Sequence, residues 1–213
     1  MKKICKIICV VLLCSAFLAG CKDEAQYSSA LNSVPADSPT FDSDGVEIIL
    51  PKYERDQIES MLSYYKIAAG SFDTNEDVPA SVLFSPLYGS ITQDTMPKDE
   101  AEKIMSEFWG REIKDVQEER WAQPGVYAGI PLDFVDDQYA IAPHGPMDSH
   151  QTAISHIYDL KNGYYKVTGI TRYYGYDETE NDVALLSTKD MTVIFRANSG
   201  SRFGFSIIGQ KYE

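Results

Sequence analysis

The spacing of apolar positions changes character near the middle of the chain. Ile58, Met61, Leu62, Tyr65 and Ala69 recur at helical steps and give one apolar face. Pro51 can open that helix, Glu54 and Asp56 complement its dipole, and Gly70 is a fitting stop. A second helix is expected from Pro97. Asp99 and Glu100 lie at its start, Ala101, Ile104, Met105 and Phe108 form its buried stripe, and Gly110 ends it. Between the two, Ser71 to Pro79 reads as a polar loop. Val82 to Ile91, broken by Pro86 and Gly89, reads as a loop that packs on the core.

From Val126 onward the period is two. Leu132 and Phe134 flank Asp136-Asp137 with Tyr139 and Ile141, which predicts a short hairpin. Thr152 to Leu160 and Tyr164 to Tyr174 alternate on either side of Lys161-Asn162-Gly163. Asn-Gly between alternating runs is a strong hairpin mark, because both turn residues must take positive φ. Met191 to Ala197 and Arg202 to Gln210 form a further pair around Asn198-Ser199-Gly200, and Val46 to Leu50 reads as a short strand. The expected class is α+β: about two N-terminal helices packed on a C-terminal antiparallel curved sheet.

The N-terminus has a different grammar. Lys2, Lys3 and Lys6 precede an apolar run, Ile7 to Leu18, and Leu18-Ala19-Gly20-Cys21 follows. Positive charge, a short apolar core and small residues before a cut site mark a secretory signal peptide. Twelve residues are too few for an ordinary spanning helix, which needs roughly 17–25. Leu18-Ala19-Gly20-Cys21 resembles the lipobox of bacterial lipoproteins. That resemblance implies cleavage after Gly20 and diacylglycerol on Cys21, which becomes the mature N-terminus and holds the protein to a membrane. Two or three acyl chains make a stable anchor where one gives marginal binding. The four cysteines are Cys5, Cys9, Cys14 and Cys21, so the mature domain has no thiol for a disulfide, a thiolate metal site or a nucleophile. Lys22-Asp23-Glu24 is similar to the surface-export tag of Bacteroidetes lipoproteins and equally fits a solvated tether. Residues 22 to about 44, rich in Ser, Asp, Ala and Pro, read as that tether. The expected organisation is a signal peptide over 1–20, a lipidated tether over 21–44 and one domain over 45–213.

Charge narrows the partners. Removing residues 1–20 takes away three lysines and no acid, leaving 16 basic against 32 acidic residues, a net charge of −16. This argues against nucleic acid and against lying flat on anionic lipid. The segments "VIFRANSGSRFGFSII" and "DDQYAIAPHG" look similar to stretches of uncharacterised secreted lipoproteins of Firmicutes. The resemblance implies a cystatin-like or nuclear-transport-factor-like cone and assigns no catalytic residue.

Chemistry-bearing residues are few. His144, Asp148 and His150 share a loop marked by Pro143, Gly145 and Pro146 and are the candidate metal ligands. His156 cannot join His150 on one strand, since six residues span about 20 Å. No His-Glu-x-x-His motif supports the site, and the expectation is no bound metal and no cofactor. Tyr158, Tyr164, Tyr165, Tyr173, Tyr174 and Tyr176 crowd one predicted hairpin. They form either an aromatic platform for a glycan or apolar ligand, or cross-strand packing. Ser199-Gly200-Ser201 lacks a Gly-x-Ser-x-Gly elbow, there is no Gly-rich phosphate loop, and Asp136, Asp137 and Asp182 read as acidic turns. The expected role is a lipid-anchored, non-catalytic binding or accessory module of the cell envelope, with an envelope protein or glycan as partner. The alternatives are a small envelope hydrolase, metal-assisted through the His144 to His150 loop, and a structural subunit docking through its sheet face.

Overall fold

The computed structural model describes residues 35, 37–64, 67–90, 95–113, 132–135, 138–141, 149–177 and 182–213, and among these eight strands and four α-helices are formed. In chain order these are β1 (Val46–Glu47), α1 (Lys52–Leu62), α2 (Ala80–Leu83), α3 (Ser85–Ser90), β2 (Thr95–Pro97), α4 (Lys98–Trp109), β3 (Leu132–Val135), β4 (Gln138–Ile141), β5 (Ser149–Lys161), β6 (Tyr164–Asp177), β7 (Asp182–Ala197) and β8 (Phe205–Tyr212). The class is mixed α and β. A five-stranded antiparallel sheet runs β1-β5-β6-β7-β8, and a three-stranded one runs β2-β4-β3. No described helix is long and apolar enough to cross a membrane.

The Asn-Gly signal marks its hairpin. Asn162 has φ 53° and Gly163 φ 79°, and the strands leave the turn at Lys161 opposite Tyr164. The second helix also follows its signals. Pro97 stands before α4, Asp99 and Glu100 occupy the first turn, and Gly110 closes it in the left-handed region at φ 61°. Leu132–Val135 pairs with Gln138–Ile141 as expected, and β2 adds a third strand through Met96 opposite Tyr139.

Three expectations need correction. Helix α1 ends at Leu62, not at Gly70. There the Ser63 hydroxyl donates back to the Glu59 carbonyl at 2.7 Å, and the apolar period continues into a separate 3-10 turn, Ile67–Ala69. Val82 to Ile91 was expected as a loop, yet Ala80–Leu83 and Ser85–Ser90 are helical. Pro86 is tolerated because it stands in the first turn of α3, where its missing N–H costs nothing. The expected packing holds, since Val82, Leu83, Phe84 and Leu87 are buried. Finally, β7 begins at Asp182, nine residues before the apolar run at Met191.

The core lies on one face of the five-stranded sheet. Ile157, Val167, Met191, Val193, Phe195, Phe205 and Ile207 join α1, α2 and α4 in a single apolar cluster. Its centre is aromatic: Phe108 meets Trp109, Phe203 and Tyr64 edge-on at centroid distances of 4.8, 5.0 and 5.2 Å. Each such pair contributes about 0.5–1.5 kcal/mol beyond the area it buries. Trp109 also donates its indole N–H to the Leu83 carbonyl at 2.9 Å, tying α4 to α2 inside the core.

The opposite face is partly covered by residues 37–44, the end of the stretch read as tether. Lys166 reaches across to donate to the carbonyls of Phe41 and Ser43, at 3.2 and 2.6 Å. Phe41 lies over Gly209, and Ile194 on this face is fully buried.

Candidate functional site

The register of β5, β6 and β7 assigns each candidate side chain to a face, because residues directly opposite share one. Val167, Gly169 and Thr171 are buried, so odd positions of β6 face the core and even positions face outward. Tyr165 and Tyr173 therefore point inward, while Tyr158, Tyr164 and Tyr174 point outward. The described tyrosine side chains of this hairpin are divided between the two faces. Tyr164 and Tyr174, on the same outer face, stand ten residues apart, about 33 Å along a strand.

The inward pair serves the core. Tyr165 packs edge-on against Phe205 at 5.9 Å, and burial, then Glu54 and Asp159, push its phenol upward. Tyr173 donates its hydroxyl to the Ala68 carbonyl at 2.7 Å, and burial pushes its pKa up to about 12. Tyr212, buried beside Tyr173, is also raised, by burial and then by its neighbour. The outward tyrosines have lighter duties. Lys166 lies 5.5 Å above the Tyr158 ring, and Tyr174 donates to Gln151 at 3.4 Å.

His150, at the start of β5, is also inward. Its Nε2 lies 2.9 Å from the Leu62 carbonyl, at the C-terminal end of α1. Burial lowers its pKa, and the bond to Leu62 pulls the other way. His144 and Asp148 lie outside the described residues. Among the described residues, no three His, Cys, Asp or Glu side chains gather as a metal ion would require. His156 points to solvent with Nδ1 2.8 Å from Glu47 on β1. Asp182 accepts from the Val183 N–H, and Ser201 accepts from the Phe203 N–H in the turn before β8, where it is buried. Asp136, Asp137 and Cys21 fall outside the described residues; the Tyr176 side chain does too.

Sequence reasoning passed over the residues that hold the helical segments to the sheet. Gln210 of β8 donates its amide to the carbonyls of both Ile67 and Gly70, each at 2.6 Å. Arg111 donates to the Ile208 carbonyl at 2.7 Å and to the carbonyls of Trp109 and Glu76, and it stacks over Phe72 at 5.3 Å. Burial lowers its pKa; Asp77 opposes that and Arg196 adds to it. Arg196 donates to the Gly110 carbonyl at 2.9 Å. These cations sit where the α4 carbonyls run out of intrahelical partners. No residue spacing signals such contacts, because those to the sheet join positions 86 to 143 residues apart.

Among the described residues, the far end of β6 and β7 lies beyond the pairing with β8. Pairing of β7 with β8 ends where Asp190 and Glu213 exchange two backbone bonds, at 2.9 and 3.0 Å. Beyond that point β7 carries Val183, Leu185 and Leu186, exposed by 62, 52 and 61 %. In the register of β6 and β7, Val183 pairs with Tyr176 and Leu185 with Tyr174. Grouped large apolar side chains left in water are the informative exception on a protein surface. This end of the sheet is the candidate functional surface.

No protein-family model, curated protein or solved structure matches the chain.

Proposed function

We infer that the chain is an exported lipoprotein, anchored through a diacylglyceryl group on Cys21, whose mixed α and β domain works in the cell envelope as a non-catalytic binding or accessory module. The observation that carries this reading is Leu18-Ala19-Gly20-Cys21 directly after three lysines and a twelve-residue apolar run. Clustering of every cysteine in the first 21 residues supports it, since an exported domain then relies on its core rather than on disulfides. The net charge of −13 disfavours nucleic acid as partner. The anchor belongs to the outer membrane or cell surface of a Gram-negative cell, or to the outer leaflet of a Gram-positive membrane.

The order of a helical half followed by an antiparallel meander is that of a cystatin-like cone. His150, Tyr173 and Gln210, on three strands, support that reading by holding the end of α1 and the turn after it against one sheet face. Docking on a second envelope component is favoured by one observation, the exposed Val183, Leu185 and Leu186 at the far end of β7. Fractionation tests the anchored reading: Cys21→Ser should move the protein out of the membrane fraction, and unchanged membrane retention would reject it.

A further inference from the structure

We propose that residues 37–45 are a releasable strap, closed across the outer face of the five-stranded sheet by Lys166 and able to open as a unit while the sheet stays folded. The strap crosses the strands in order. Phe41 lies over Gly209 of β8, where a β-carbon would stand 3.4 Å from its ring. The carbonyls of Phe41 and Ser43 accept from Lys166 of β6 at 3.2 and 2.6 Å. Gly45 then passes over β5 so closely that a β-carbon would come 2.8 Å from Leu160 and 2.9 Å from Tyr158. Val46 follows, paired with Asp159 as the start of β1.

Apolar contact and charge close the strap together. Ile194 of β7 stands in register between Lys166 and Gly209, the two positions the strap touches, and it is fully buried. The Lys166 ammonium is seated between the two strap carbonyls and the Tyr158 ring, 5.5 Å away. Bonds donated by a charged group are about twice as strong as neutral ones. Lys211 of β8 is held in its charged form first by Glu213 and also by Asp42 of the strap. A basic seat thus meets an acidic segment, since residues 37–45 carry Asp37, Asp42 and Asp44 and no Lys or Arg.

The same segment opens at a lower cost than the sheet beneath it. Asp37, Thr40, Asp42, Asp44 and Gly45 are exposed. Its own backbone bonds are local, Ser38 to Pro35 at 2.9 Å and Ser43 to Thr40 at 3.1 Å, and among the described residues its sheet pairing begins at Val46. Closure leaves the Ser38 hydroxyl oxygen buried without a partner, a cost that water removes on opening. Few buried contacts and exposed backbone bonds mark the segments that open first. Opening uncovers Ile194 and Gly209. On the anchored reading above, on which this one consequence rests, it also hands nine residues, about 30 Å of extended chain, to the tether.

The test is hydrogen exchange of the full chain in mild detergent, read by mass spectrometry, with circular dichroism and thermal melts as folding controls. In the wild type, peptides covering 37–45 should exchange more slowly than an unfolded chain and faster than peptides covering 164–170 of β6. Lys166→Met keeps the stem and removes the donor, and Phe41→Ser removes the ring over Gly209. Each should speed exchange of the strap about tenfold or more and leave 164–170 unchanged in at least the Phe41→Ser chain. Exchange reads the strap whether or not Cys21 carries lipid, so the two readings fail separately. A wild-type strap that exchanges only as slowly as β6, or as fast as an unfolded chain, would overturn the proposal. So would a strap indifferent to both substitutions, or loss of the whole fold in both variants, since the strap would then not open as a separate unit.

Discussion

The imidazole Nε2 of His150 lies 2.9 Å from the carbonyl oxygen of Leu62, the last residue of α1. A strand side chain thereby satisfies one of the carbonyls that a helix end leaves without an intrahelical partner. Burial holds the imidazole below its ordinary value. The unfolded chain therefore takes up the His150 proton first as pH falls, and protonation favours unfolding. The stability due to this group is complete above the unfolded value near 6.5 and declines as pH drops through it toward the lower folded value. His150→Gln keeps a donor and removes the titration. Thermal midpoints at pH 7.5 and 5 should show a smaller acid loss in the variant than in the wild type; equal losses would contradict this role.

Tyr173 makes the matching contact one strand over. Tyr173→Phe removes the donor to the buried side of Ala68 and should cost about 1–3 kcal/mol in urea unfolding. Its phenol also gives an alkaline signature. With a folded value pushed up to about 12, the unfolded state loses this proton first, so stability falls as pH rises from about 10 toward 12. Absorbance titration at 295 nm should show a late-ionising tyrosine that is missing in Tyr173→Phe.

Gly110 closes α4 at φ 61°, and a β-carbon there would come 2.8 Å from the β-carbon of Ser206. Left-handed geometry costs an ordinary residue about 1–2 kcal/mol before any clash is counted. Gly110→Ala should therefore lower stability by about 2 kcal/mol or more in denaturant melts. A loss below about 0.5 kcal/mol would show that the cap is not strained.

Trp109→Phe keeps most of the aromatic packing but leaves the Leu83 carbonyl without its indole donor. Loss of a buried bond and some volume predicts destabilisation of about 2–4 kcal/mol, measured by the shift in urea midpoint. Trp109→Phe with no shift would mean that the tie between α2 and α4 carries little.

The parts of this fold that were legible are those that local chemistry dictates. Asn162-Gly163 demanded a hairpin, and Asp99, Glu100, the Ala101 to Phe108 stripe and Gly110 bounded a helix at both ends. Asp182 to Asp190 was not legible as strand, because that stretch mixes charges with exposed apolar residues and is held by pairing with β6 rather than by alternation toward a core. The Tyr cluster was visible as composition, but whether each ring faces inward or outward depends on register, which the turn at Asn162-Gly163 sets. His150 was singled out for metal chemistry from its neighbours in sequence. In the fold its Nε2 is committed to Leu62, a residue 88 positions away that no local pattern points to.

The anchored lipoprotein reading is tested most directly by the intact mass of the protein extracted from membranes of cells that express it. The account predicts a chain that has lost residues 1–20 and begins at Cys21 with a diacylglyceryl adduct, and a Cys21→Ser chain that carries no adduct. A membrane-extracted chain with Cys21 unmodified, or with residues 1–20 still attached, would contradict it.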